Sequence, residues 1–526
     1  MSFFCSKKII LNLFIIEFFL FREIESSTIK FKIKTLKFLG KNNNSIYINN
    51  EIDEEKYFYY DLILNNIYTS ILLGSPPQNI LGFYSGKINE FIIFHKGCFI
   101  NHSKYNRTKS DTFYNLSSFN ITHKDYKNAC FAKENFLFEQ YINVNGNNSN
   151  KYINVNQLKF FLSNDYKENK KLDNDNTCAI IGLQLNNKDI LKETPKNFIH
   201  YFIQNVFDKK DKNNFNINSF YWTIKYNNLN SINNIDDDEG FFSIGDPPHV
   251  YDPDNYRKNN FIEFNIESGY SSLYWGIKFN EIYLSKISNI YLKKYFGGHN
   301  CLFYPEINII LGTIEYYNTI KKEFFNDFLL AKICFEKKIF ISRINSTVIN
   351  GLSGEYAIIF CDKKKIEEYG IDKFYLNFPS VNFYHKLMNY TFVFKGNELF
   401  YEDKKEKKIY FLISKKNNEV DQWIFGKIFM KKYQVIFNSE MKTIGFYINI
   451  NSNSNSNDNN IYNTFFLYRN IKIIALILFS FFVLIIAILL GYKYKKTFFT
   501  KNRIIVKELE MVNKNVNLTN YYSLDK

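Results

Sequence analysis

Leu72-Leu73-Gly74-Ser75-Pro76-Pro77-Gln78-Asn79-Ile80-Leu81-Gly82-Phe83-Tyr84-Ser85-Gly86-Lys87 is the stretch on which the reading of this chain turns. It continues the apolar run Ile67-Tyr68-Thr69-Ser70-Ile71. Two apolar runs separated by a Gly-Ser-Pro-Pro cluster read as strand, tight turn, strand. Pro76 and Pro77 fix φ and offer no N–H to a ladder, so the turn lies outside the sheet.

Working outward, the same strand pattern dominates residues 57–449. Short apolar runs, many of period two, alternate with Asn, Asp, Gly and Lys clusters, which predicts a mainly β fold. Two helices are predicted within it, Pro195–Phe207 and Glu315–Leu330. No short internal repeat is visible. The 526 residues suffice for two to four domains, and the 46% hydrophobic content supports a packed core. Heavy use of Asn, Lys, Ile, Tyr and Phe runs through every segment alike and reads as codon bias from an AT-rich genome. The net charge is +15, but Lys is scattered and no nucleic-acid motif accompanies it, which argues against a nucleic-acid partner.

The two ends read differently. Residues 1–21 place Lys7-Lys8 before the run Ile9 to Phe21, the pattern of a signal peptide or signal anchor. Residues 22–56 follow, with Lys30-Phe31-Lys32-Ile33-Lys34 and an Asn-rich break. Residues 450–470 form an Asn/Ser-rich stalk. In 471–492 the run Ile473–Leu490 has only Ser480 as a polar residue and predicts a transmembrane helix. Residues 493–526 begin with Lys493, Lys495, Lys496, Lys501 and Arg503 and read as a basic cytoplasmic tail. The expected topology is single-pass type I in a secretory-pathway or surface membrane, with the large domain lumenal or extracellular.

The hairpin resembles that of the pepsin-like aspartic proteases, Gly-Thr-Pro-x-Gln-x-Phe-x-Val-x-Phe-Asp-Thr-Gly-Ser, and more specifically their membrane-anchored, plasmepsin-like members. Further landmarks follow in family order. Cys178-Ala179-Ile180-Ile181-Gly182-Leu183 resembles Asp-Gly-Ile-Leu-Gly-Leu. Asn218-Ser219-Phe220-Tyr221-Trp222, Gly240-Phe241-Phe242-Ser243-Ile244-Gly245-Asp246 and Tyr274-Trp275-Gly276-Ile277-Lys278-Phe279 resemble three more. Gln422-Trp423-Ile424-Phe425-Gly426 through Val435-Ile436-Phe437-Asn438, with Ile444-Gly445-Phe446, resembles the closing Trp-Ile-Leu-Gly-Asp…Val-Phe-Asp…Val-Gly elements. The resemblance implies two β-rich lobes, 57–268 and 269–449, with a cleft between them. It also implies a basic prosegment in 22–56, where a polar spacer is the competing reading.

The chemistry that the resemblance would carry is missing. Such enzymes need two carboxylates sharing one proton, one from each lobe. The first Asp position falls on Ser85, or on Tyr84 with a one-residue deletion. The second, in Cys301-Leu302-Phe303-Tyr304-Pro305-Glu306-Ile307-Asn308, falls on Tyr304. The flap Tyr position falls on His123, and the flap glycines on Lys124 and Tyr126. Ser85 and Tyr304 are expected to meet at the base of the cleft, with the Tyr304 hydroxyl bonded to Ser85 or Tyr84. Glu90 and Glu306 flank the two loops and would form a substitute dyad only if both turned inward; as charged residues beside turns they are read as solvated. Ser85 facing His123 would offer a nucleophile and a base, but no orienting acid or oxyanion hole is evident. His299 beside Cys301 reads as a lobe contact.

Seven cysteines show no CxxC and no Cys/His spacing for zinc, and no cofactor or metal is implied. The resemblance implies a second-lobe bridge at Cys361, for which Cys334 is the nearest candidate; Cys98–Cys130 is a second candidate pair. The sequence thus favours a membrane-tethered, catalytically degenerate pepsin-like protein that binds a peptide or protein. The alternatives are an active aspartic endopeptidase with a non-standard dyad and a structural surface protein.

Overall fold

The computed structural model describes residues 28–35, 54–94, 105–116, 127–140, 143–144, 147–148, 151–165, 179–185, 198–207, 219–226, 239–267, 274–285, 294–341, 352–369, 375, 378–417, 422–448 and 505–512. The chain divides into two compact units, Met1–Ile448 and Asn449–Lys526. The first is mainly β and consistent with a pepsin-like fold. In the second the described part is a helix at 505–512.

The leading hairpin forms as its sequence predicts. Ile67–Leu73 pairs antiparallel with Gln78–Ser85, from Tyr68 opposite Phe83 to Leu73 opposite Gln78. Gly74 turns the chain at φ +85, in the left-handed region that favours glycine. Six strands drawn from the beginning, middle and end of the unit lie side by side: Phe261–Asn265, Thr443–Tyr447, Ile436–Asn438, Tyr221–Tyr226, Glu239–Gly245 and Ile29–Thr35. The last leads on to the hairpin strand Ile67–Leu73. Trp222 stacks on Phe437 at 4.1 Å and meets Trp275 edge-on at 5.7 Å, so aromatic packing joins the strands Tyr221–Tyr226 and Ile436–Asn438, which are distant in sequence.

Within the 22–56 segment, Ile29–Thr35 forms a strand. It alternates Ile29, Phe31 and Ile33 inward with Lys30, Lys32 and Lys34, the period of a strand with one buried face. Phe31 is fully buried against Phe138, Phe202 and Phe242. Burial of one such ring contributes about 1.5–3 kcal/mol.

A topological repeat appears that no sequence periodicity announced. In the first half, Gln78–Ser85 runs into a loop and Phe91–Phe94 follows; Ala179–Gly182 lies between them, parallel to one and antiparallel to the other. In the second half, His299–Phe303 runs into a loop and Ile310–Leu311 follows; Trp423–Phe425 lies between them in the same way. Each inserted strand ends in a glycine with no room for a side chain. A Cβ on Gly182 would stand 2.4 Å from the Glu90 carbonyl oxygen, and one on Gly426 2.2 Å from that of Ile307.

Both predicted helices form. Phe198–Phe207 buries Phe198, Ile199 and Phe202. The second runs from Ile314 to Leu330 and contains a π-helical stretch, Lys321–Phe325. A further helix, Glu54–Ile63, leads into the hairpin. Cys334 and Cys361 face each other on adjacent strands and are bonded, with Cα atoms 3.9 Å apart. Cys130 carries a free buried thiol; Cys98, its expected partner, lies outside the described residues. Also outside them are the leader 1–21, the flap position His123, the stalk 450–470 and the apolar run 471–492. Among the described residues no helix is long and apolar enough to cross a membrane.

Candidate functional site

The repeat brings two loop tips together, residues 84–87 after the first strand and 303–306 after its counterpart. A Cβ on Gly86 would lie 2.9 Å from Cδ of Pro305 and 3.4 Å from the carbonyl oxygen of Phe303, so the tips are in van der Waals contact. Tyr84, Ser85, Tyr304 and Glu306 are each at most 3% exposed.

Side-chain direction separates the two candidates for the first position. Tyr84 packs its ring on Phe242 at 4.6 Å, with the Thr69 hydroxyl as polar neighbour; burial raises its pKa. Ser85, one residue on, points the opposite way, as strand geometry requires. Its hydroxyl donates to Oε1 of Glu306 at 3.2 Å, and the Gly86 N–H donates to Oε2 at 3.0 Å. The Lys87 N–H donates to the Ser85 oxygen at 3.3 Å.

Glu306 is therefore the residue whose role the sequence reading missed. It is not solvated beside its turn: it spans the two tips across 220 residues of chain. Burial raises its pKa, while the Gly86 N–H, the charge of Lys87 and the Ser85 hydroxyl oppose that rise. Glu90 keeps a partly exposed position, and its carbonyl accepts from the Gly182 N–H at 3.0 Å. The geometry of a shared-proton dyad, two inward carboxyls a hydrogen bond apart, is not what binds Glu306 here; a serine hydroxyl and a peptide N–H do.

Tyr304 departs from its expected partnership. The Ser85 hydroxyl is engaged by Glu306, and Tyr84 is packed against Phe242. The Tyr304 ring lies under the Lys87 ammonium, 4.8 Å from its centroid, and meets Tyr274 edge-on at 6.4 Å. The cation–π contact is a second link between the tips, within the reach at which such pairs attract.

The second tip is fixed from behind by two asparagines that the sequence did not single out. Asn65 donates its side-chain N–H groups to the Pro305 carbonyl at 2.8 Å and the Tyr226 hydroxyl at 2.9 Å, and its backbone N–H to the Glu306 carbonyl at 2.8 Å. Asn308 donates to the carbonyls of Asp61 and Leu64 at 2.6 and 2.8 Å. Leu64 and Ile307 form a β-bridge, and the Lys427 N–H donates to the Ile307 carbonyl. Both asparagines stand outside regular strands, where a buried amide can satisfy loop carbonyls. A run of polar residues between apolar ones, Asn65-Asn66, was the available signal.

His299 and Cys301 behave as a structural pair. A His299 ring nitrogen pairs with the Phe296 carbonyl, and the Cys301 thiol, its pKa pushed up by burial, donates to the His299 carbonyl at 3.6 Å. Another buried carboxylate, Glu134, accepts from Tyr105 and Ser110 at 2.7 Å each, from Thr112, and from the Asn135 N–H at 2.9 Å. It anchors the 105–112 loop beside the hairpin turn. Among the described residues no cluster of His, Cys, Asp and Glu is suited to hold a metal ion.

No curated protein matches the chain. Residues 346–447 match the model of the eukaryotic aspartyl protease family, a segment that holds the Cys361 strand, Trp423–Phe425 and Ile436–Tyr447 but neither loop tip. The chain thus carries, in its second half, a segment similar to the eukaryotic aspartyl proteases.

Proposed function

We propose that this protein is a membrane-tethered, catalytically inert pepsin-like protein that holds an extended peptide or a protein partner. One observation carries the inert part. The loop tips are closed on each other through Ser85, Glu306 and Gly86, with a tyrosine at each neighbouring position. A lytic water in such enzymes needs two carboxyls around it, one ionised and one protonated. Here the carboxyl at the junction is buried with its oxygens engaged by donors from the opposite loop, and Tyr304 is bulkier than any carboxylate. A two-lobed β scaffold still offers concave surface and strand edges suited to an extended chain. The apolar run Ile473–Leu490 and its basic flank supply the tether.

The competing reading, an endopeptidase working through Glu306, draws on that side chain's inward direction and raised pKa. Incubation of the purified protein with a mixed peptide library between about pH 4 and 7 separates the two. The expected result is no cleavage above buffer. Pepstatin-sensitive cleavage that disappears in Glu306→Gln would establish the endopeptidase instead.

A further inference from the structure

Asn106-Arg107-Thr108 is an Asn-x-Ser/Thr triplet that lies wholly within the described residues, in a surface loop that presents it. Arg107–Lys109 form one 3-10 turn with no buried residue; Thr108 and Lys109 are exposed and Asn106 partly so. The backbone on either side is held. The Asn106 N–H donates to Oε1 of Gln78 at 2.7 Å, and its carbonyl accepts from Nε2 of Gln78 at 3.0 Å. Beyond the turn, Ser110 and Thr112 donate to the buried Glu134.

Inside this frame the Asn106 side chain folds back on its own triplet. Oδ1 accepts from the Thr108 N–H at 3.1 Å and from the Thr108 hydroxyl at 2.7 Å. Two donors on one oxygen fix which way the amide lies, so Nδ2 is the atom left over. Among the described residues Nδ2 makes no hydrogen bond. The triplet thus sets its amide and its hydroxyl side by side on exposed chain. Asn389-Tyr390-Thr391, the same motif elsewhere, is arranged differently. Tyr390 is buried, Thr391 pairs with Tyr384 across a strand ladder, and Oδ1 of Asn389 accepts from the Tyr384 hydroxyl at 3.2 Å. A disulfide such as Cys334–Cys361 persists in an oxidising compartment, and the secretory pathway that supplies one also adds Asn-linked sugars.

We propose that Asn106 is an acceptor for an Asn-linked glycan. This rests on the reading of the large domain as lumenal or extracellular. The co-reactant is an oligosaccharide joined through N-acetylglucosamine to a polyprenyl diphosphate. Nδ2 bonds to the sugar C1 and gives up one proton; the C1–O bond breaks, and the lipid diphosphate leaves with its electron pair. The glycan stands over the hairpin turn, to which the loop is tied by the Asp111 N–H on the Ser75 carbonyl at 2.8 Å and where Ser75, Pro76 and Pro77 are exposed. A bulky polar chain there shields these loop tips from proteases and directs any partner to the remaining surface.

Peptide mass spectrometry of the full-length protein, recovered from the membranes of a eukaryotic cell, tests the assignment. The expected result is a glycan beginning in N-acetylhexosamine on the Asn106 peptide of the parent and of Thr108→Ser, and its loss in Asn106→Gln and Thr108→Ala. Position 108 is exposed, so both of its variants keep the fold. A bare Asn106 in the parent, or a glycan that survives Thr108→Ala, overturns the proposal. Protease treatment of the sealed membrane vesicles reports the topology separately. If Asn106 is bare on a domain protected inside the vesicles, only this proposal fails. If the domain is digested from outside, the lumenal reading fails with it.

Discussion

Glu306→Gln should remove a pH dependence of stability without opening the loop junction. The carboxyl is buried, and its pKa in the folded protein lies above its ordinary value. For an acid shifted upward, the folded state binds more protons than the unfolded state between the two pKa values. Stability is then fully present below the unfolded pKa, about 4.5, and is lost as pH rises through the folded pKa. Each unit of upward shift costs about 1.4 kcal/mol once the pH exceeds both values. A glutamine keeps an oxygen for the Gly86 N–H and turns its NH2 to the Ser85 oxygen, which can accept. The variant should therefore match the parent near pH 4 and be the more stable of the two near pH 8. Glu306→Ala instead leaves the Gly86 N–H without its acceptor and opens a void, a loss of about 2–4 kcal/mol near pH 4 that shrinks as the pH rises and the parent's carboxyl ionises. Urea titrations at several pH values supply the comparison. If the parent and Glu306→Gln show parallel pH profiles, the carboxyl is not the titrating group at the junction. If Gln destabilises as much as Ala at pH 8, the two-donor geometry is wrong.

Three other outcomes follow from the same contacts. Asn65→Ala removes two side-chain hydrogen bonds and strands the buried Pro305 carbonyl and Tyr226 hydroxyl, so unfolding titration should show a loss of about 2–4 kcal/mol; a loss below about 0.5 kcal/mol would mean that Asn65 does not brace the second tip. Cys334→Ser with Cys361→Ser opens a crosslink of sequence separation 27 and should cost about 3–4 kcal/mol in the chain-entropy account, read as a lower urea midpoint; an unchanged midpoint would refute it. Ser85→Asp with Tyr304→Asp should remain nearly inert in the peptide-library assay, because Pro305 and Glu306 still fill the second tip; measurable turnover would show that only the dyad had been lost.

The landmarks legible in the sequence were those set by local rules. The Gly-Ser-Pro-Pro turn made the hairpin, apolar runs made strands, and the Phe198/Phe202 spacing made a helix, because turn chemistry and side-chain period act within a few residues. Gly182 and Gly426 stood out as glycines in apolar runs, and the structure supplies the reason in the carbonyl oxygens of Glu90 and Ile307. The Ile29–Thr35 strand was equally legible by period, but its lysines and the adjacent Asn-rich break masked it as a polar segment. What the sequence could not decide was the fate of Glu306 and Asn65. A carboxylate after Tyr-Pro is by default solvated, and an Asn pair before a strand reads as a loop. Their burial depends on partners as distant as Ser85, Gly86, Pro305 and Tyr226, brought near only when the two strand–loop–strand repeats close on each other. Local sequence determines which segments become strands and turns; the direction of a side chain at a loop tip is decided by whichever distant donors the closed fold sets before it.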